Sequence, residues 1–568
     1  MKTKFQSDYI CAIIWFLIIS VKIRYFARPY HQLEDAIVNY GLGLIVFLIF
    51  HYIVYKKKEI PYGLLKKIAI MFVNSIAVLA VSVFIIHVWH GEAPRWKEVI
   101  QSVYVFCVVI CVECVVLYLT HVFDFDTFFI NILLIAGLSM CVILPIRCWI
   151  SWDDQAHYSN SQLVANGFDH DAMKADEDIY MTALDRSTYE NYHKYLVNLD
   201  KEYIENVDSP FGFPSISFQV IVAYIPAALG TFIGRSLGLP YSIVFLVGRI
   251  SNFMVYAILM YLSIRCLKSG KLILALYALI PTNLFLAVNY SYDYWVNALS
   301  VFAFCYFIGI IQDKERKIKI KDMFIIFGFM VLAFMPKSIY FPIILIYLFV
   351  GKDKFESKRD RRIYYIILIA AILFLICWFA IPYLSSGLGG DDTRGGDAVN
   401  SSGQIQFILS NMWAYIKILF NFLRYYWSFP TTRDYFNMWA YMGYVPYHKI
   451  CVLLMLLAIV VDKEECDRNF NGILRKVVWI IIALGTSALV ATALYVAFTP
   501  VGAEGISGCQ PRYLLPLIFP TSYIIGSSII AGPLKKIKGT VLNTLCVSCY
   551  AAIIVYAVWS VVIASYAL

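Results

Sequence analysis

The feature that most constrains this chain is an apolar run that keeps returning. Stretches of about 18 or more apolar residues recur from one end of the sequence to the other, each long enough to cross a hydrocarbon layer of ~30 Å. In that medium every backbone amide must bond within its own element, so continuous runs become helices. The runs do not alternate, which argues against a membrane barrel. Of the 568 residues, 61% are hydrophobic and 15% charged, more apolar surface than a soluble core of this size could hide. The expected fold is all-α: a polytopic integral membrane bundle of about 15 transmembrane helices, with further helices in outward loops.

The runs place spans near 8–26, 37–55, 67–88, 99–121 and 127–150, and then, after a polar segment at 151–213, near 240–265, 272–290, 294–312, 323–336, 339–350, 363–384, 447–461, 476–498, 513–531 and 540–565. No small-residue cleavage site follows the first run, which reads as a retained helix. Residues 214–237, interrupted by Pro226, and 405–428, mixing aromatic residues with Lys417 and Arg424, suit an interfacial position. The net charge of +9 comes from short basic loops, among them 55–67, 312–322, 351–362 and 533–539. That distribution fits the positive-inside pattern and not nucleic-acid binding. It puts 151–213, 385–404 and 499–512 outside, the N-terminus inside and the C-terminus outside; the basic stretch 21–29 runs against it.

Fourteen cysteines lie mostly within apolar runs and read as packing residues, including Cys107, Cys111 and Cys114. Cys148 and Cys509, near outer span ends, are a conceivable disulfide. The Gly- and Asp-rich segment 385–403 lacks both phosphate-loop and EF-hand spacing and reads as a flexible outer loop or lid. The spans carry few acids, unlike an ion-coupled transporter.

Acids gather where "CWISWDDQAHYSNSQLVANG" (148–167) leaves the membrane. Asp153 and Asp154 could be a solvated loop start, or one carboxylate could take a proton while the other orients an acceptor or holds Mg²⁺ or Mn²⁺. His157 stands one helical turn further on. Asp293 opens a span and would serve either as its N-cap or as part of a cavity. Lys337 and Arg512, at outer span ends, would contact a phosphate or snorkel to headgroups. Arg235 is a weaker candidate. Arg249 falls within a span, where a cation requires a partner.

"WDDQAHYSNSQLVANG" resembles the opening motif of a bacterial membrane-protein family known as domain of unknown function 2142. Further stretches resemble its later motifs in order: "YIPAALGTFIGRSLGLPYSIVFLVGRISNFMVYAILMYL" (224–262), "ALIPTNLFLAVNYSYDYWVNALS" (278–300), "FMPKSIYFPIIL" (334–345), "ISGCQPRYLLPL" (506–517) and, more loosely, "MWAYMGYVPYHKI" (438–450). The resemblance spans roughly 125–535, leaving 1–124 as an N-terminal extension of about four transmembrane helices and 536–568 as a C-terminal helix. The family is similar in layout to the C-type glycosyltransferase superfamily (GT-C), whose members use lipid-linked sugars. The resemblance implies a GT-C-like core in a bacterial cytoplasmic membrane, with Asp153 or Asp154 as the essential acid. It also implies Asp293 and His157 beside that acid, and Lys337, Gln510, Arg512 and Tyr513 at the donor phosphate. The implied partners are a polyprenyl phosphate sugar donor, a glycan or glycolipid acceptor and membrane lipids. A lipid-linked glycan flippase or polysaccharide polymerase, and a non-catalytic envelope-assembly scaffold, are the competing expectations.

Overall fold

A computed structural model describes residues 123–169, 218–386, 398–428, 436–467, 472–526 and 539–563, with Phe470 and isolated positions between 111 and 121. The spans expected before 99, most of that at 99–121, Cys107, and the polar segment from 170 to 213 lie outside the described residues, as does 387–397 of the Gly-rich loop. Every named element is helical. In chain order these are α1 (Phe125–Ile143), α2 (Asp154–Ala165), α3 (Ile221–Ser236), α4 (Tyr241–Cys266), α5 (Lys271–Ala278), α6 (Pro281–Ala287), α7 (Asp293–Gln312), α8 (Ile320–Phe334), α9 (Lys358–Ser386), α10 (Ser401–Ser410), α11 (Met412–Tyr426), α12 (His448–Val461), α13 (Ile473–Phe498), α14 (Leu515–Ile525) and α15 (Thr540–Ala557). A 3₁₀ segment, Ser338–Leu348, follows α8. Six helices among the described residues are long and apolar enough to cross a membrane: α1, α4, α7, α9, α13 and α15.

The central layer runs α3, α4, α7, α8, with α1 on the other side of α4. Small residues let these helices approach. A Cβ on Gly137 of α1 would run into the Phe253 ring, and one on Gly309 of α7 into the Cys266 carbonyl. The outward faces of α9 and α13, with Ile366, Ile369, Leu373, Ile480 and Ile481 exposed, are the surfaces suited to lipid.

Several expected spans take a different form. The run 272–290 is two short helices, because Pro281 cannot donate a backbone bond and sits instead at the first turn of α6. The break is repaired by side chains: Tyr256 Oη donates to the Ala278 carbonyl (2.9 Å), Asn283 Nδ2 donates to the Tyr277 carbonyl (3.2 Å), and Asn297 Nδ2 donates to Asn283 Oδ1 (2.9 Å). That is the condition for broken backbone at membrane depth. In place of the span expected at 513–531, the described residues hold a short 3₁₀ turn, Pro511–Leu514, followed by the 11-residue α14, and 339–350 is largely 3₁₀ around Pro342. Helix α1 ends at Ile143, so 144–150 is non-helical chain. Residues 405–428 fall in α10 and α11, and Asn400 caps α10 through Gly403 N (2.7 Å). Cys148 and Cys509 are thiols, so the disulfide expectation is not met.

Arg249 has the partner that its position required, though not an acid. Its Nη1 and Nη2 each donate at 2.8 Å, to the carbonyls of Leu144 and Pro145 where α1 ends, and its guanidinium lies 4.6 Å from the Phe245 ring centroid. The C-terminal end of a helix carries partial negative charge and carbonyls without helical donors, so the cation satisfies both. Charge-assisted hydrogen bonds contribute about 1.5–3 kcal/mol each. Arg249→Leu is expected to destabilise the detergent-purified protein by about 2–4 kcal/mol, read as a lowered thermal midpoint. A midpoint equal to wild type would show that the two carbonyls do not depend on Arg249.

Candidate functional site

The site assembles where α1, α2, α7, α8 and α14 bring together ends that are far apart in sequence. It begins with the turn between α1 and α2. Trp149 (φ 64°) and Asp153 (φ 51°) both adopt the left-handed region, which costs a non-glycine residue about 1 kcal/mol or more. The turn is held by Asp154, whose carboxylate accepts from the amides of Ile150 (2.7 Å), Ser151 (3.0 Å) and Trp149 (3.3 Å). Asp154 is therefore turned back onto its own loop. Asp153 points the other way, its Oδ2 2.5 Å from Arg512 Nη2.

The two acids, indistinguishable in the sequence, thus separate by role. Asp154 is buried and spent on backbone; Asp153 keeps 30% of its side chain exposed. The pair does not converge on one cation cradle, and among the described residues no three His, Cys, Asp or Glu side chains cluster as metal ligands.

Asp293 sits at the first position of α7, after Tyr292 as N-cap, and its carboxylate does not cap that helix. It accepts from Lys337 Nζ (2.5 Å) and Ser291 Oγ (3.2 Å), and its Oδ2 lies 3.2 Å from Arg512 Nη1. Arg512 consequently bridges Asp153 and Asp293 while Lys337 pairs with Asp293. Aromatic faces wall the cluster. Tyr513 lies 4.3 Å from Lys337 Nζ and 5.3 Å from the Arg512 guanidinium, and Trp152 is 5.3 Å from the latter. Tyr340 Oη donates to the Tyr513 carbonyl (2.6 Å), fastening the Pro-Lys-x-x-Tyr segment to the Gln-x-Arg-Tyr segment.

Burial works against the charge on Arg512, but Asp293, Tyr513 and Asp153 together more than offset it, so its affinity for the proton is raised. For Lys337 burial wins over Asp293 and its value is lowered. Both cations are paired with carboxylates in this arrangement.

His157, on α2, lies with Nδ1 2.7 Å from Tyr224 Oη and its ring edge-on to Tyr292. Its Nε2 is buried without a hydrogen-bond partner among the described residues, as are Arg512 Nε, Ser151 Oγ and Gln510 Oε1. Buried polar atoms of this kind call for a ligand or water. Arg235 lies away from the cluster and ties α3 to α2 through Gln162 (2.6 Å) and Asn166. Trp152, Tyr224 and Tyr292 were not singled out from the sequence. Tyr292 lies inside the Ser-Tyr-Asp stretch and Trp152 beside the acid pair, whereas Tyr224 gives no local signal.

The opposite end of the bundle is chemically distinct. Helix α7 runs about 30 Å from Asp293 to Gln312. There Asp467 accepts from Gln312 Nε2 (2.8 Å), Tyr523 Oη (2.5 Å) and Ser269, and Asp462 caps α5 through Leu272 N (2.6 Å). Acids therefore sit at both ends, not at one edge as the sequence suggested. The basic loops 312–322 and 351–362 also lie at this end, joined by Ile318 N donating to the Lys354 carbonyl (2.8 Å).

Residues 202–520, more than half of the chain, match the family described as a predicted membrane protein, domain of unknown function 2142. The chain belongs to that family. The match begins after the acid-pair stretch 148–167, so the resemblance drawn there and the extent of 125–535 are wider than the matched range. No curated protein and no solved structure matches.

His157 is pushed down to about 4, by burial first and Arg512 second, with Asp293 and Asp153 opposing. Its folded value lies below the ordinary 6.5, so the unfolded chain takes up this proton first as pH falls. The contribution of a neutral His157 to stability is fully present above about pH 6.5 and is lost as pH falls through about 4. The thermal midpoint of wild type relative to His157→Gln is expected to shrink between pH 7 and pH 4.5. A difference that stays constant or widens over that window would show that burial does not keep the imidazole neutral.

Proposed function

We propose that the chain is a membrane glycosyltransferase that moves a sugar from a polyprenyl phosphate carrier to a glycan or glycolipid at the outer face of a bacterial cytoplasmic membrane. The observation that carries this reading is the Asp153–Arg512–Asp293–Lys337 cluster. It gathers a buried arginine, a half-buried lysine and a partly exposed carboxylate at one end of an apolar bundle. An end of this kind meets water and lipid headgroups together, which a lipid-linked donor and a polar acceptor both need. The basic loops at the far end support an outward site by the positive-inside rule.

The reaction follows from the groups present. Asp153 accepts the proton of an acceptor hydroxyl, and the freed oxygen lone pair forms the new bond to the anomeric carbon. The bond from that carbon to the phosphate oxygen breaks, and its electron pair leaves with the phosphate. Arg512 and Lys337 stabilise the charge that develops there. Asp293 orients both cations, and Gln510 and Tyr513 complete the wall on the phosphate side. Mg²⁺ or Mn²⁺ would find Asp154 bound by backbone amides and Asp153 paired with Arg512, so the acid pair does not fit a dicarboxylate metal site.

Membranes carrying wild-type protein are expected to transfer label from a polyprenyl phosphate sugar to envelope material. Asp153→Asn should lower that rate by about 10²–10⁴, and Arg512→Gln by about 10²–10³, with membrane insertion unchanged. Transfer at the wild-type rate in both variants would remove the proposal. The lipid-linked saccharide that accumulates in cells without the protein would identify the donor.

A further inference from the structure

As it stands the cluster is self-neutralised: two carboxylates face two cations, and the cations that a phosphate needs are already occupied. The four groups are not equally buried. Asp293 is 5% exposed at the side chain and is engaged by Ser291, Lys337 and Arg512 at once. Asp153 is 30% exposed, stands on a residue at φ 51°, and meets the cluster through Arg512. Its neighbour Asp154 fixes the loop from behind, so Asp153 can swing while the turn stays in place. Arg512 cannot follow it. It is 2% exposed at the side chain, anchored to Asp293, and set between the Trp152 and Tyr513 rings. When an anion arrives, Asp153 is the member that gives way.

Resting on the transferase reading, we propose that the Asp153–Arg512 ion pair is a latch opened by the phosphate of the donor. The phosphate takes Nη2 of Arg512 from Asp153, and the displaced carboxylate turns toward the acceptor. A carboxylate paired with arginine is a poor proton acceptor, and separation from the cation restores it. The base thus becomes competent only once the donor is seated, which imposes an order: donor first, acceptor second. A carboxylate fixed beside the donor phosphate would instead repel it, because both are anions.

The test uses the purified full-length chain in detergent with farnesyl phosphate as probe and farnesol as the uncharged control. Asp153 competes with the phosphate, so Asp153→Asn and Asp153→Ser are each expected to bind farnesyl phosphate about tenfold more tightly than wild type. Farnesol binding should not change, and Arg512→Gln should lose phosphate-dependent binding. Size-exclusion elution at the wild-type position qualifies each variant, and the two substitutions at Asp153 guard against one that misfolds. If Arg512→Gln loses binding while both Asp153 variants bind no more tightly than wild type, the latch is overturned and the phosphate site stands. If Arg512→Gln binds farnesyl phosphate as wild type does, the phosphate site itself fails and takes the latch with it.

Discussion

A buried guanidinium held between two carboxylates organises this end of the molecule. Arg512 has almost no solvent, and an isolated charge in such a place would cost several kcal/mol. It is tolerated because Asp153 and Asp293 reach it from segments separated by hundreds of residues, and because aromatic faces cover it. The ion pairs therefore fix where α14 begins relative to α2 and α7.

The rest of the bundle follows the same rule at other depths. At several places where backbone leaves helical geometry, a polar side chain meets it. Asn283 and Tyr256 serve the break before Pro281, Arg249 serves the end of α1, and Asp462 serves the start of α5. Trp439 Nε1 donates to the Pro281 carbonyl (3.0 Å), so the 436–447 loop is pinned to the first residue of α6. Many of the polar residues scattered through the apolar sequence are thus repairs of the backbone, whereas at the Arg512 cluster, as around Asp467, side chains pair with one another. Beside the cluster lie buried atoms without hydrogen-bond partners among the described residues, His157 Nε2 and Arg512 Nε.

The sequence revealed helices by the length of their apolar runs, because hydrocarbon leaves few other solutions. Long uninterrupted runs such as those of α4, α7 and α13 were legible to within a few residues. Runs containing proline were not: Pro281 divides one, Pro342 sits within 3₁₀ geometry, and Pro516 stands in the first turn of α14, just after a 3₁₀ turn. Candidate residues were legible as residue types near span ends, but their pairing was not, since it depends on which ends meet. The choice between Asp153 and Asp154 was least accessible. It turns on a left-handed residue at 153 that sends adjacent side chains in opposite directions, and no pattern of residue types announces that. Asp293 was equally ambiguous, because a cap and an ion-pair partner are the same residue at the same place until Lys337 is seen beside it.

The charges of the cluster divide unequally along the chain. Asp293, Lys337 and Arg512 all lie within 202–520, and by themselves they carry one net positive charge, suited to holding an anion. Asp153 comes from upstream of that range and brings the cluster to neutrality. A permanently cationic pocket buried in an apolar bundle would be costly when empty and would take up any small anion from solution. A neutral one is stable when empty and exposes its positive charge only to a ligand able to displace the fourth group. The upstream turn, with its αL residue and its Asp154 brace, is the part of the chain that supplies that removable charge.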